Sequence, residues 1–205
     1  MRPRPTLLAV SGPPGVGKTT LAHALADALG WPAVCRDEIK ERLVTETAPT
    51  DPTDPAADMN VKTLGVFFQT LADLLESGTS LVAEAAFQDR LWRPGLEPLT
   101  DRARIRVVRC VTDPGLARER IARRAAEPAR AVHGDAEFLR RIAGGERPIE
   151  SWVPIALDVP CLTVDTTRGW DPPLDRIVEF AAGATIGHGG GDDGRSAASP
   201  TAAPQ

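Results

Sequence analysis

The residues best able to do chemistry stand near the start of the chain, in Gly12-Pro13-Pro14-Gly15-Val16-Gly17-Lys18-Thr19-Thr20. Gly12 to Thr19 is a full match to G-x-x-x-x-G-K-[ST]. The glycines let the backbone turn tightly and bring its N–H groups close to an anion, because no Cβ intervenes. A helix starting near Gly17 adds the positive end of its dipole. Lys18 is then placed to reach the β- and γ-phosphates of a nucleotide. The Thr19 hydroxyl is placed to ligate Mg²⁺, and Thr20 to bond the α-phosphate. The chain has only three lysines, Lys18, Lys40 and Lys62, and otherwise uses arginine, yet this position is Lys.

The flanks supply what the motif needs. Leu7 to Val10 is a short apolar run suited to a buried parallel strand. After Lys18, apolar residues recur with helical spacing at Leu21, Ala22, Leu25, Ala26, Ala28 and Leu29. Gly30 is a helix stop, and Ala33 to Cys35 reads as a second strand.

Other chemistry-bearing residues follow at strand ends. Asp37 comes just after the second strand, where it can cap a helix over Glu38 to Val44. Ligands of open parallel sheets bind at the carboxyl ends of strands. A carboxylate there can accept the proton of an attacking hydroxyl, or Asp37 can be a cap alone. Arg36 beside it can pair with substrate, with phosphate, or with solvent. A third strand is expected over Ser80 to Phe87, interrupted by Glu84. Glu84 can act on Mg²⁺ through water, orient a substrate, or sit at a half-exposed strand end. Arg90, in the following loop, is a candidate substrate or phosphate contact.

The rest of the chain alternates in the same way. Residues 45 to 60 are rich in Pro and Asp and read as an acidic loop, either a lid over the acceptor side or plain surface. A helix is expected from about Asn60 to Glu76, with Val61, Leu64, Phe67, Phe68, Leu71, Leu74 and Leu75 on one face. Residues 91 to 103 read as irregular or helical. A fourth strand spans Ile105 to Val111. Thr112-Asp113-Pro114 opens a helix bearing Arg118, Arg120, Arg123 and Arg124. Arginines at three- and four-residue spacing share a face and suit either a lid over a nucleotide or a solvated helix. His133 reads as a surface residue. The fifth strand is Pro160 to Asp165, followed by Thr166 and Thr167, then a helix over Pro172 to Ala182.

Composition narrows the class. At 205 residues, with 42% apolar and 25% charged residues, this is an ordinary globular chain. Its net charge of −4 argues against a dedicated nucleic-acid binder. No Tyr is present, and aromatics are few. No apolar run has the length of a membrane span, and the short basic start leads directly into the phosphate loop. A cytoplasmic protein is expected. Cys35, Cys110 and Cys161 are widely spaced, lie in or beside apolar strand-like runs, and read as reduced, buried thiols rather than a metal site. Residues 1–182 form the expected domain, with a lid over about 118–143. Residues 183–205 have the Gly/Ala/Ser/Pro composition of a disordered tail. Monomer and homodimer both remain open.

The ordering predicts an α/β fold in three layers, with a five-stranded parallel sheet flanked by helices and a small helical lid. It resembles the small P-loop kinases described as AAA-domain predicted kinases, a group with phage-type polynucleotide 5′-kinase, chloramphenicol phosphotransferase and zeta-toxin-like kinases. Four segments carry the resemblance: Gly12 to Thr20, Arg36-Asp37-Glu38-Ile39-Lys40-Glu41-Arg42, the Arg118-to-Arg124 helix, and Val164-Asp165-Thr166-Thr167. It implies ATP and Mg²⁺ as cofactors and Asp37 as general base. It also implies Arg120 and Arg124 as phosphate clamps, and puts Thr166 near the adenine. The expected reaction is transfer of the ATP γ-phosphate to a hydroxyl of a small molecule. A 5′-hydroxyl polynucleotide kinase and an ATP-binding regulatory switch are the alternatives. The chain departs from larger P-loop ATPases in lacking an obvious run of four apolar residues closed by aspartate, and Glu84 is the only candidate for that place.

Overall fold

The computed structural model describes residues 3–46, 55–126, 140 and 152–183; of 55–58 only the backbone is considered. Apart from residue 140, the expected lid beyond residue 126 therefore lies outside the described residues, as do the tail from residue 184 and residues 47–54 of the acidic loop.

Five strands form one parallel sheet: β1 (Thr6–Ser11), β2 (Ala33–Cys35), β3 (Leu81–Glu84), β4 (Arg104–Val111) and β5 (Cys161–Asp165). Their spatial order is β2-β3-β1-β4-β5. Among the described residues the helices are α1 (Lys18–Leu29), α2 (Arg36–Glu46), α3 (Pro55–Glu76), α4 (Asp89–Leu96), α5 (Pro114–Ala125) and α6 (Leu174–Ala182). Each parallel pair needs a crossover, and the helices supply the crossovers described here. They also cover both faces. Alternation along β1 sends Leu7 and Ala9 to one face and Leu8 and Val10 to the other. Leu7 and Ala9 join a core with Phe67, Leu71, Phe87 and Trp92. Leu8 and Val10 join a second core with Leu21, Leu25, Val108 and Ile177. All six residues of β1 are buried, which is why the strand reads as an unbroken apolar run.

Several boundaries differ from those expected. The helix expected from Asn60 starts at Pro55. Proline is tolerated in a first helical turn, where its missing N–H costs nothing, so Pro55 opens the helix rather than forbidding it. Val61 is 72% exposed and does not belong to the buried stripe. The third strand ends at Glu84, not Phe87. Phe87 takes a φ of 42°, a left-handed conformation that no continuing strand allows. Segment 91–103 is mostly helical, as α4 and a 3₁₀ turn over Glu97–Leu99. The last helix starts at Leu174, two residues after a cis Asp171–Pro172 bond. Among the described residues, no helix is long and apolar enough to cross a membrane.

Candidate active site

Register brings the chemistry to one edge of the sheet. Val10 pairs with Glu84, and Glu84 pairs with Cys35. So the entry to the phosphate loop, the end of β3 and the end of β2 lie level at their carboxyl ends. The loop leaves β1 at Ser11 and turns into α1 at Gly17, which has φ 81°. At Gly15, with φ 82°, a Cβ would come within 2.5 Å of the Ala117 carbonyl oxygen of α5. Only glycine permits so close an approach, and it seats α5 directly against the loop.

Lys18 and Thr19 occupy the first turn of α1. The Lys18 ammonium donates to the Pro13 carbonyl at 3.1 Å and lies 3.8 Å from a Glu84 oxygen. The Thr19 hydroxyl donates to the other Glu84 oxygen at 3.1 Å. Glu84 is 3% exposed, so it is not a half-exposed strand end. Burial pushes its carboxyl above the usual carboxylate range, Lys18 pulls it back, and the charge of Asp37 adds to the rise. The structure thus places Glu84 with the phosphate-side residues. Having donated its only proton to Glu84, Thr19 keeps its lone pairs for a cation. The pair Thr19 and Glu84 therefore has the oxygen chemistry that Mg²⁺ requires.

The back of the loop is bolted to β5. Thr166 is 5% exposed, and its hydroxyl donates to the Val16 carbonyl at 2.6 Å. Arg120 donates to the Thr166 carbonyl at 2.9 Å and approaches its hydroxyl at 3.4 Å. The Arg120 guanidinium also lies 3.8 Å from where a Cβ on Gly17 would stand. So the Arg120 side chain stands beside the loop. Thr166 holds the loop from behind instead of presenting its hydroxyl outward. Arg124 is half-buried one turn further along α5, and Arg118 is exposed. Asp113 caps α5 by accepting from the Leu116 amide at 3.0 Å. Thr20 is exposed on α1.

Asp37 stands at the head of α2. Helix α2 starts at Arg36, immediately after β2, so Asp37 lies inside its first turn rather than before it as a cap. A carboxylate there is favoured by the helix dipole. Arg36 bridges two elements: it donates to Asp37 at 2.9 Å and to Asn60 of α3 at 2.8 Å. Lys40, one turn on, is buried, and burial together with Arg36 lowers its ammonium below the usual lysine value. Arg90 is exposed on α4, and no described contact joins it to Asp37 or the loop.

Three contributors escape a reading of the sequence. Asn60 stands 24 residues from Arg36, and nothing local marks it. Ser11 and Trp152 both donate to the Ala86 carbonyl, at 3.3 Å and 2.7 Å, and so brace the turn after β3. Ser11 has a weak signal, a polar residue ending an apolar strand; Trp152 has none.

Comparison with known proteins agrees with this fold. Residues 7–145 match the family profile described as AAA domain. No curated protein matches. A candidate kinase from Chloroflexus aurantiacus J-10-fl is 28% identical, with a TM-score of 0.72, covering 88% of this chain and 98% of its own. Shikimate kinase from Acinetobacter baumannii, solved with shikimate, is 22% identical with a TM-score of 0.56, covering 91% and 97%. APS kinase from Mycobacterium tuberculosis, solved with AMPPNP and APS, is 18% identical with a TM-score of 0.54, covering 88% and 96%. The last two are alike in fold. With the profile covering most of the chain and the sheet, loop and helices in place, the chain belongs to the AAA-domain family as a small P-loop kinase.

Proposed function

We propose that this protein transfers the γ-phosphate of ATP to a hydroxyl of a small molecule. The observation that carries the proposal is the level placement of two unlike groups at the sheet edge: the Lys18–Thr19–Glu84 cluster and Asp37 at the head of α2. The first suits a nucleotide polyphosphate. The second suits a hydroxyl that must lose a proton.

The roles follow from the contacts. The loop amides and Lys18 bind the phosphates and stabilise charge on them. Thr19, oriented by Glu84, would hold Mg²⁺, which when bound supplies positive charge to the phosphate oxygens. Arg120 keeps the loop in shape through Thr166 and brings a permanent cation to it. Asp37 accepts the acceptor's proton. Arg36, held by Asn60, aims that carboxylate. The net charge of −4 favours a small acceptor over a polynucleotide.

The test is ATP consumption against a panel of hydroxyl compounds, with mass-spectrometric detection of phosphorylated product. A 5′-hydroxyl oligonucleotide belongs in the panel, and its labelling in preference to every small molecule overturns the acceptor class. ATP hydrolysis that yields no phosphorylated product, unchanged in Asp37→Asn and lost with ATP binding in Lys18→Ala, replaces the kinase reading with that of a nucleotide switch.

A further inference from the structure

Outside the phosphate site, three ligating side chains meet where α1, β2 and α2 converge. His23 projects from α1, Cys35 ends β2, and Glu38 stands in the first turn of α2. Their ligand atoms all lie within 4.8 Å of one another. His23 Nε2 is 2.7 Å from a Glu38 carboxylate oxygen and 3.8 Å from the Cys35 sulfur. One ring nitrogen thus faces a carboxylate and a thiol together. It can donate a proton or accept one, not both at once. A cation between the three would serve all of them.

We propose that His23, Cys35 and Glu38 bind a divalent transition metal of the zinc class, with a fourth position open to solvent. The donor set is one sulfur, one imidazole nitrogen and one carboxylate oxygen. That mixture suits Zn²⁺ and excludes Mg²⁺, which takes oxygen ligands. The surroundings are anionic, since Asp37, Glu38 and Glu84 all act on the Cys35 sulfur. Burial and those carboxylates hold the thiol proton tightly when no metal is bound. Metal entry forms the sulfur–metal bond and releases that proton to solvent. The carboxylate–imidazole distance is that of a hydrogen bond, so one group must move outward to admit an ion. Both side chains are nearly half exposed, at 48% for His23 and 46% for Glu38, and have room to do so. The ion would staple α1, which carries Lys18 and Thr19, to α2, which carries Asp37.

The test uses the full chain, Zn²⁺ and Co²⁺. Native mass spectrometry at micromolar Zn²⁺ should show one zinc per chain. Co²⁺ should give a thiolate-to-cobalt charge-transfer band, which an all-oxygen Mg²⁺ site cannot produce. Cys35→Ser should lose the band, and Cys161→Ser should keep it. His23→Ala, a change at a half-exposed position that leaves the core intact, should weaken zinc binding by roughly tenfold or more. Absence of the band in the wild type overturns the proposal. So does a band that survives in Cys35→Ser, or zinc affinity unchanged in His23→Ala.

Discussion

The Thr19 hydroxyl donates to a buried oxygen of Glu84 at 3.1 Å, across 65 residues of sequence. This bond joins the first turn of the phosphate-loop helix to the end of the neighbouring strand. It also makes a carboxylate that is 3% exposed part of the phosphate site.

Glu84 should set the acid limb of the pH–rate profile. Its carboxyl is raised, so folding favours the protonated form. That contribution to stability is fully present below the ordinary glutamate pKa and is lost as pH rises through the raised value. Activity runs the other way. The ionised form is the one that accepts from Thr19 without competition and balances a cation, so turnover falls as pH drops through the raised value. Glu84→Gln should flatten the acid limb at a low rate and leave the metal-free fold as stable or more so at neutral pH. A profile with an unchanged acid limb in Glu84→Gln counts against this assignment.

Asp37→Asn should lower kcat by about 10²- to 10⁴-fold, the usual worth of a positioned base. The KM for ATP should hardly move, because Asp37 belongs to the first turn of α2 and not to the phosphate loop. Asn60→Ala should act more mildly and on the acceptor side, raising the acceptor KM through the loosened Arg36. Steady-state kinetics with both substrates varied separates the two effects.

Thr166→Val should weaken the loop from behind. The variant keeps the shape but leaves the Val16 carbonyl without its 2.6 Å donor and removes one contact of Arg120. An unpaired buried polar group costs about 1–3 kcal/mol. A lower Tm and a higher KM for ATP are expected together. A drop in Tm with unchanged ATP affinity would show that the bond serves the fold and not the loop.

Gly95→Ala tests packing remote from the chemistry. A Cβ there would fall 2.2 Å from the Phe68 ring, which sits among Phe67 and Trp92. Overpacking of this kind costs about 1–3 kcal/mol. The urea midpoint should fall with the slope unchanged, and the KM for ATP should stay where it was.

Local physics made much of this protein legible in its sequence. The phosphate loop, α1, β2, the Gly30 stop and the Asp113–Pro114 start of α5 each depend on neighbours in the chain: glycine freedom, apolar periodicity and capping. Pro55 was misleading because a proline reads alike in a loop and in a first helical turn. Tertiary structure decided what lies between distant segments. Glu84 stood out as a carboxylate in an apolar run, but only strand order puts it beside Thr19 rather than at a half-exposed end. Thr166, Asn60 and the His23–Cys35–Glu38 trio likewise acquire their partners only in the folded chain: Thr166 where the segment after β5 meets the phosphate loop, Asn60 where α3 packs on α2, and the trio where α1, β2 and α2 converge. Periodicity shows which face a residue occupies; sheet order and register, set by how the two cores fill, determine what stands opposite it.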